Sequence, residues 1–358
     1  MEQKKYLNNV AIIRVILIVL LVFYHAFLVY SGGWDLSGEY PLIKSYWWLD
    51  KLSFAFMLET FVFISGYVFG FQVRTKGKVK LDPKSLFWSK FKRLLIPSMT
   101  FSLLYILLFK DISQPILTTF RGVIEGEAHR WFLPMLFWCF WGIWVIEKLN
   151  LKPKFVLPFL ILCSICSFLP LPMQLNVTMY YMLFFYTGYL LQRKSIGLEK
   201  YYKPKYAVAL CLLFFIIFPL LTLFRQNAGE IIANKWGDLF GNHMFASVVK
   251  HVLLNTAKMI YSSLGLATLF VIVGLSEQRR TSPLPQWVTK VGALCMGVYL
   301  FQQFFLMAIY RCSSLPNTVD PYVMPWISFA VALLGSLMIS YLLRLTKVGR
   351  LIIGWNNS

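Results

Sequence analysis

The sequence predicts an all-α integral membrane protein, a bundle of about ten transmembrane helices with both termini cytoplasmic. Three observations predict it. Hydrophobic residues make up 58% of the 358-residue chain and charged ones 14%, whereas a soluble domain keeps roughly 25% charged residues to wet its surface. Mean hydropathy is +0.63. The apolar residues also gather in runs, and a hydrocarbon core of about 30 Å takes roughly 17–25 helical residues to cross.

The runs lie at 10–30, 52–71, 94–109, 131–146, 155–171, 177–191, 206–223, 259–275, 291–310 and 322–343. The first is expected to be a span and not a cleavable signal, because it is long, holds an arginine and a histidine, and lacks a small-residue cleavage site after it. The second ends in Ser65-Gly66, a small pair that lets helices approach closely. Runs three and four are short, and the sixth is polar for a span, with Thr178, Tyr180, Tyr181, Thr187 and Gly188. After the seventh comes the longest gap, 224–258, with room for a small cap; three further apolar runs complete the bundle. The organisation expected is a single multi-pass domain over 1–358 with no appended soluble domain.

Charge tests the topology. There are 35 Lys+Arg against 15 Asp+Glu, a formal +20. Nucleic-acid binding would need that charge on one wettable face with interleaved aromatics, but it sits in short segments between apolar runs. Lys and Arg are retained on the cytoplasmic side, and an inside N-terminus with ten crossings assigns nearly all of the excess there. Segment 73–93 holds Arg74, Lys76, Lys78, Lys80, Lys84, Lys90, Lys92 and Arg93; segment 193–205 adds Arg193, Lys194, Lys200, Lys203 and Lys205. This reads as a cytoplasmic (inner) membrane protein in contact with membrane lipid. The six cysteines lie mostly inside apolar runs, and Cys163-Ser-Ile-Cys166 has neither a second pair nor histidine ligands. They read as small core residues, and no metal site is expected.

Ionisable groups at membrane depth are costly, so each asks for a reason. Arg14 and His25 share the first span, eleven residues apart; at 1.5 Å per residue that is about 16 Å and close to three turns, so they face nearly the same side at different depths. Glu59 sits in the second, antiparallel span at a depth similar to that of His25. A histidine whose ring is oriented by a carboxylate can remove a proton from a hydroxyl, the demand of acyl transfer to an alcohol. The structural alternatives are a snorkelling Arg14, a hydrogen-bonded interior His25 and a Glu59 that partners some basic side chain. Lys90, Lys92 and Arg93 precede Pro97 at the start of the third run. Such cations suit either phosphates or lipid headgroups. The loop before the fourth run ends His129-Arg130-Trp131-Phe132-Leu133-Pro134, where a Trp anchors at the interface and a His-Arg-Trp group could receive a sugar. The loop 225–258 offers Arg225, Glu230, Asp238, His243 and His251 without recognisable spacing, and no site is drawn from it.

Taken together, Arg14-x10-His25, Phe-Ile-Ser65-Gly66-Tyr67, Lys90-x-x-Arg93-Leu-Leu-Ile-Pro97, His129-x-Trp131-Phe-Leu-Pro134 and Gly297-Val-Tyr299-Leu-Phe resemble the membrane acyltransferase-3 family, in register along essentially the whole chain. The resemblance implies transfer of an acyl group, usually acetyl, from cytoplasmic acetyl-CoA or another acyl-CoA to a hydroxyl of a surface polysaccharide or lipid-linked sugar. It assigns the catalytic base to His25, an essential neighbouring role to Arg14, and donor handling to Lys90 and Arg93. Many members carry histidine where this chain has Gln302, so a second histidine role does not transfer and Gln302 is left to orient substrate. The rival class is a transporter or flippase of a glycan or lipid intermediate that uses Arg14, His25 and Glu59 as a charged relay; the chain shows none of the internal repetition many transporters carry.

Overall fold

The computed structural model describes residues 2–34, 40–110, 115–230, 232 and 243–354. The described residues are predominantly helical, without a strand. The principal helices are α1 Glu2–Phe27, α2 Lys44–Phe54, α3 Met57–Lys76, α4 Pro83–Lys90, α5 Ile96–Phe109, α6 Ile116–Glu125, α7 Phe132–Lys148, α8 Pro153–Ile165, α9 Leu175–Arg193, α10 Pro204–Glu230, α11 His243–Arg279, α12 Gln286–Cys312, α13 Met324–Arg344 and α14 Lys347–Ile352. Every expected apolar run falls on a helix.

Seven helical stretches among the described residues are long and apolar enough to cross a membrane: Asn8–Phe27, Lys44–Lys76, Pro83–Phe109, Pro204–Ala228, His243–Arg279, Gln286–Cys312 and Met324–Arg344. The other three runs fall short of that length or apolarity, each for a local reason. α7 has 17 residues. α8 stops at Ile165 after 13 residues, short of the expected 171, because Pro170 and Pro172 disfavour the α conformation in the residues before them; Met173 and Gln174 then turn the chain through positive φ. α9 is long enough but carries the polar residues already noted. Several helices extend past their runs, two of them most: α2 lies mostly ahead of the second run, separated from α3 at Ala55-Phe56, and α11 begins at His243, well before the run at 259.

The chain divides into two compact units. The first comprises Met1–Met57, Phe87–Phe137 and Thr281–Ser358. In it α1 packs against α2, α12 and α13, α12 against α13, and α5 carries α6 and α14. Ile13, Leu17, Ile18 and Val22 of α1 are fully buried. Gly292 lets α12 approach α1 so closely that an added Cβ would lie 3.2 Å from the Ala11 carbonyl oxygen. The second unit comprises Leu58–Leu86 and Trp138–Arg280. Here α8 packs on α9 and α11, and α10 on α11. Gly66 and Gly70, four residues apart on α3, each face a carbonyl of α9, those of Phe185 and Tyr189, while Gly188 of α9 faces the Phe63 carbonyl of α3. A Cβ at any of the three would overlap backbone, so the crossing rests on small residues, as in other close membrane-helix pairs. The Ser65 hydroxyl donates to the Phe61 carbonyl at 2.9 Å, within its own helix.

Candidate active site

The first unit brings together three elements that lie far apart in sequence: the last turn of α1, the 3-10 turn Ala128–Trp131, and the middle of α12. α1 ends its apolar stretch with His25, buried with 7% exposure. Its Nδ1–H donates to the Leu21 carbonyl one turn back at 2.9 Å. A neutral imidazole has a single N–H, so this bond leaves the lone pair on Nε2, and among the described residues no hydrogen-bond partner reaches that nitrogen. Gln302 of α12, fully buried, sets its amide Nε2 3.2 Å from Nδ1. With its proton on Nδ1 the ring is oriented by the Leu21 carbonyl, where a carboxylate was expected, and the Gln302 amide packs against that nitrogen.

The 3-10 turn is folded inward by its own chemistry. Gly126 takes φ +88°, and a Cβ there would lie 2.6 Å from the backbone of Arg130. The Glu127 carboxylate accepts from the Ala128 amide at 3.2 Å, while the Glu127 amide donates to Ser102 Oγ of α5 at 3.0 Å. α12 then holds the turn twice over: the Tyr299 hydroxyl donates to the His129 carbonyl at 2.7 Å, and His129 Nε2–H donates to the Tyr299 carbonyl at 2.8 Å. His129 Nδ1 faces the Gln303 side-chain amide in a short contact. Burial, then the neighbouring Arg130 charge, holds the His129 ring below the ordinary imidazole range, so it is neutral at pH 7. The His25 and His129 rings meet edge to face with centroids 5.6 Å apart. The second imidazole beside His25 thus comes from the 3-10 turn and not from α12, which carries Gln302 there.

Arg130 is fully buried. Its Nε donates to Ser102 Oγ at 3.3 Å, and its guanidinium carbon lies 4.4 Å from the Tyr105 ring centroid and 5.7 Å from that of Phe304. Burial lowers its pKa to about 10, which leaves it charged at neutral pH. Trp131, the next residue, is half-buried against Phe132.

Lys90, Lys92 and Arg93 lie on and before a π-helical turn, Phe91–Leu95, between α4 and α5. Lys92 and Arg93 are exposed, Lys90 half-buried. Arg93 is within electrostatic reach of Arg14, itself half-buried on α1, and neither guanidinium has an acidic partner among the described residues. Like charges held together in this way disfavour each other unless an anion joins them.

Glu59 has a different setting. It lies in the second unit, fully buried, and its carboxylate pairs with Lys258 of α11 at 3.2 Å. Lys258 Nζ in turn lies 4.4 Å from the Tyr180 ring centroid and 3.5 Å from the Tyr181 hydroxyl. The expected pairing of Glu59 with His25 is thus replaced by an ion pair to a lysine that the sequence reading left in a loop. Of the residues in that loop, Arg225 bonds the Tyr261 hydroxyl and His251 stacks on Phe168 at 5.4 Å; Asp238 lies outside the described residues. Cys139 and Cys295 are buried as expected, but Cys312 is exposed. No group of three or more metal-ligating side chains gathers among the described residues.

Sequence reasoning missed Tyr299, Gln303 and Ser102 as members of this site. A usable signal was present: Ser98, Ser102 and Tyr105 recur at helical spacing on an otherwise apolar α5. A family model described as an acyltransferase domain matches residues 7–345. Neither the curated proteins nor the solved structures contain a match.

Proposed function

We propose, from the premise that this chain belongs to the acyltransferase-3 family, that it moves an acyl group from cytoplasmic acyl-CoA to a hydroxyl of an extracytoplasmic or lipid-linked glycan, with His25 as general base. Acetyl is the default group. The observation that carries this reading is the free Nε2 of a buried imidazole whose other nitrogen is already committed to Leu21. Such a ring is set to accept a proton and unable to turn away from the task.

In the proposed reaction His25 Nε2 takes the proton of the sugar hydroxyl as its oxygen attacks the thioester carbonyl carbon. The tetrahedral intermediate then collapses with cleavage of the C–S bond, and the departing thiolate takes the proton from Nε2–H, which restores the neutral ring. Gln302 positions His25, and the neutral His129 with Trp131 flanks the acceptor. Arg14 and Arg93, supported by Lys90 and Lys92, hold the donor phosphates. Pantetheine is a long, thin arm suited to the rise of about 16 Å between the levels of Arg14 and His25. Glu59 is proposed as the structural partner of Lys258.

The test uses purified protein in micelles, with acetyl-CoA and a glycan acceptor. Release of free CoA together with a product heavier by the acyl mass is expected. A protein that binds acceptor but never releases CoA, from acetyl-CoA or any other short acyl-CoA, would overturn the assignment.

A further inference from the structure

The Arg130 guanidinium is a cation sealed in the first unit with no acid in contact among the described residues, Glu127 acting on it only at a distance. Nε is occupied by Ser102, whereas Nη1 and Nη2 are buried without a hydrogen-bond partner. The acid nearest in sequence is already engaged: Glu127 Oε1 pairs with Lys110 Nζ at 2.8 Å and accepts from the Ala128 amide. Tyr105 and Phe304 fix the plane of the guanidinium and soften its charge without neutralising it. A buried charge with no acid in contact costs several kcal/mol in general, and this one follows His129, whose ring meets that of His25.

The geometry of the free atoms narrows that ligand. With Nε satisfied, the remaining donors form the end-on fork Nη1 and Nη2, which matches two oxygens of one planar group. A transient oxyanion offers a single oxygen and would leave the cation uncompensated for most of the catalytic cycle. Neither an acetyl group nor a neutral hexose supplies a planar anion. Resting on the acyltransferase reading above, we propose that Arg130 anchors a carboxylate carried by one of the two substrates, either the distal carboxylate of a dicarboxylic acyl donor or the uronic carboxylate of an acidic sugar acceptor.

Two readouts on the detergent-purified chain test this, and their failures separate. In the first, kcat/KM is measured for acetyl-CoA and succinyl-CoA on a neutral hexose glycolipid, and for acetyl-CoA on hexose and glucuronate glycolipids. Wild type is expected to prefer the carboxylate-bearing member in one arm, which names its source. Arg130→Gln is expected to cut that preference about 100-fold, the scale of a lost charge-assisted pair, and Arg130→Lys to keep part of it. No preference in either arm, or the same preference in Arg130→Gln, overturns the proposal. In the second, the melting temperature is followed against sodium succinate and sodium glucuronate, without catalysis. A rise in wild type that Arg130→Gln loses and Arg130→Lys partly keeps supports the anchor even if no acyl transfer is found. Absence of a rise with both salts, or an equal rise in Arg130→Gln, overturns it.

Discussion

Each unit buries charged and tyrosine-rich clusters, but they are settled differently. In the second unit Glu59 meets Lys258, Lys258 lies over Tyr180, and Glu147 accepts from the Tyr189 hydroxyl at 2.6 Å with Arg193 3.5 Å away. Charge there is matched by charge or by aromatic faces inside the chain. Among the described residues of the first unit the corresponding groups are left open: Nε2 of His25 without a partner, Nη1 and Nη2 of Arg130 unbonded, and half-buried Arg14 near the exposed Arg93 with no acid in contact. A matched buried charge is explained by folding alone; an unmatched one asks for something outside the chain. The contrast supports placing the proposed site in the first unit.

That contrast can be broken or sharpened by substitution. The largest expected stability effect is at the matched pair. Glu59→Gln strands a buried ammonium and should destabilise the protein by about 3–5 kcal/mol, and adding Lys258→Met should recover much of it. The check is the melting temperature of single and double variants; a double variant no better than the single one would mean that the pair does more than neutralise itself. Next, Tyr299→Phe removes the hydroxyl that holds the His129 carbonyl and leaves a buried acceptor unpaired, a cost of about 1–3 kcal/mol. Transfer should slow measurably as the 3-10 turn loosens, and an unchanged rate would remove His129 from the site. Lys90→Gln combined with Arg93→Gln should raise the donor KM about tenfold with little change in kcat, because these cations would act in ground-state binding. An unchanged KM would reassign them to orientation in the membrane. Smallest of all, Ser65→Ala gives up only an intrahelical hydroxyl bond and should change stability and turnover by less than about 1 kcal/mol. A large loss of turnover would make Ser65 a participant.

Much of the fold was legible because a bilayer imposes a simple rule: apolar runs must become helices. All the runs did, and Arg14 and His25 stand on α1 as their spacing required. The departures have physical causes. Prolines end α8 early, and Lys250, His251, Asn255 and Lys258 disguised the first half of α11 as loop, although Lys258 is carried to Glu59 by that very helix. Depth along antiparallel helices paired Glu59 with His25, but depth says nothing of azimuth, which tertiary packing decides. The site was half legible: His25, His129 and Arg130 were named from residue type, yet their convergence depends on Gly126, Ser102 and Tyr299 folding a loop inward. No local pattern announces that a polar loop will be buried.

The most direct test of His25 as base is the single-turnover rate of acyl transfer by His25→Ala, compared with wild type in the same micelles and with matched melting temperatures. A loss of about a thousandfold is expected, within the range of a positioned general base. Transfer at the wild-type rate by that folded variant would contradict the account.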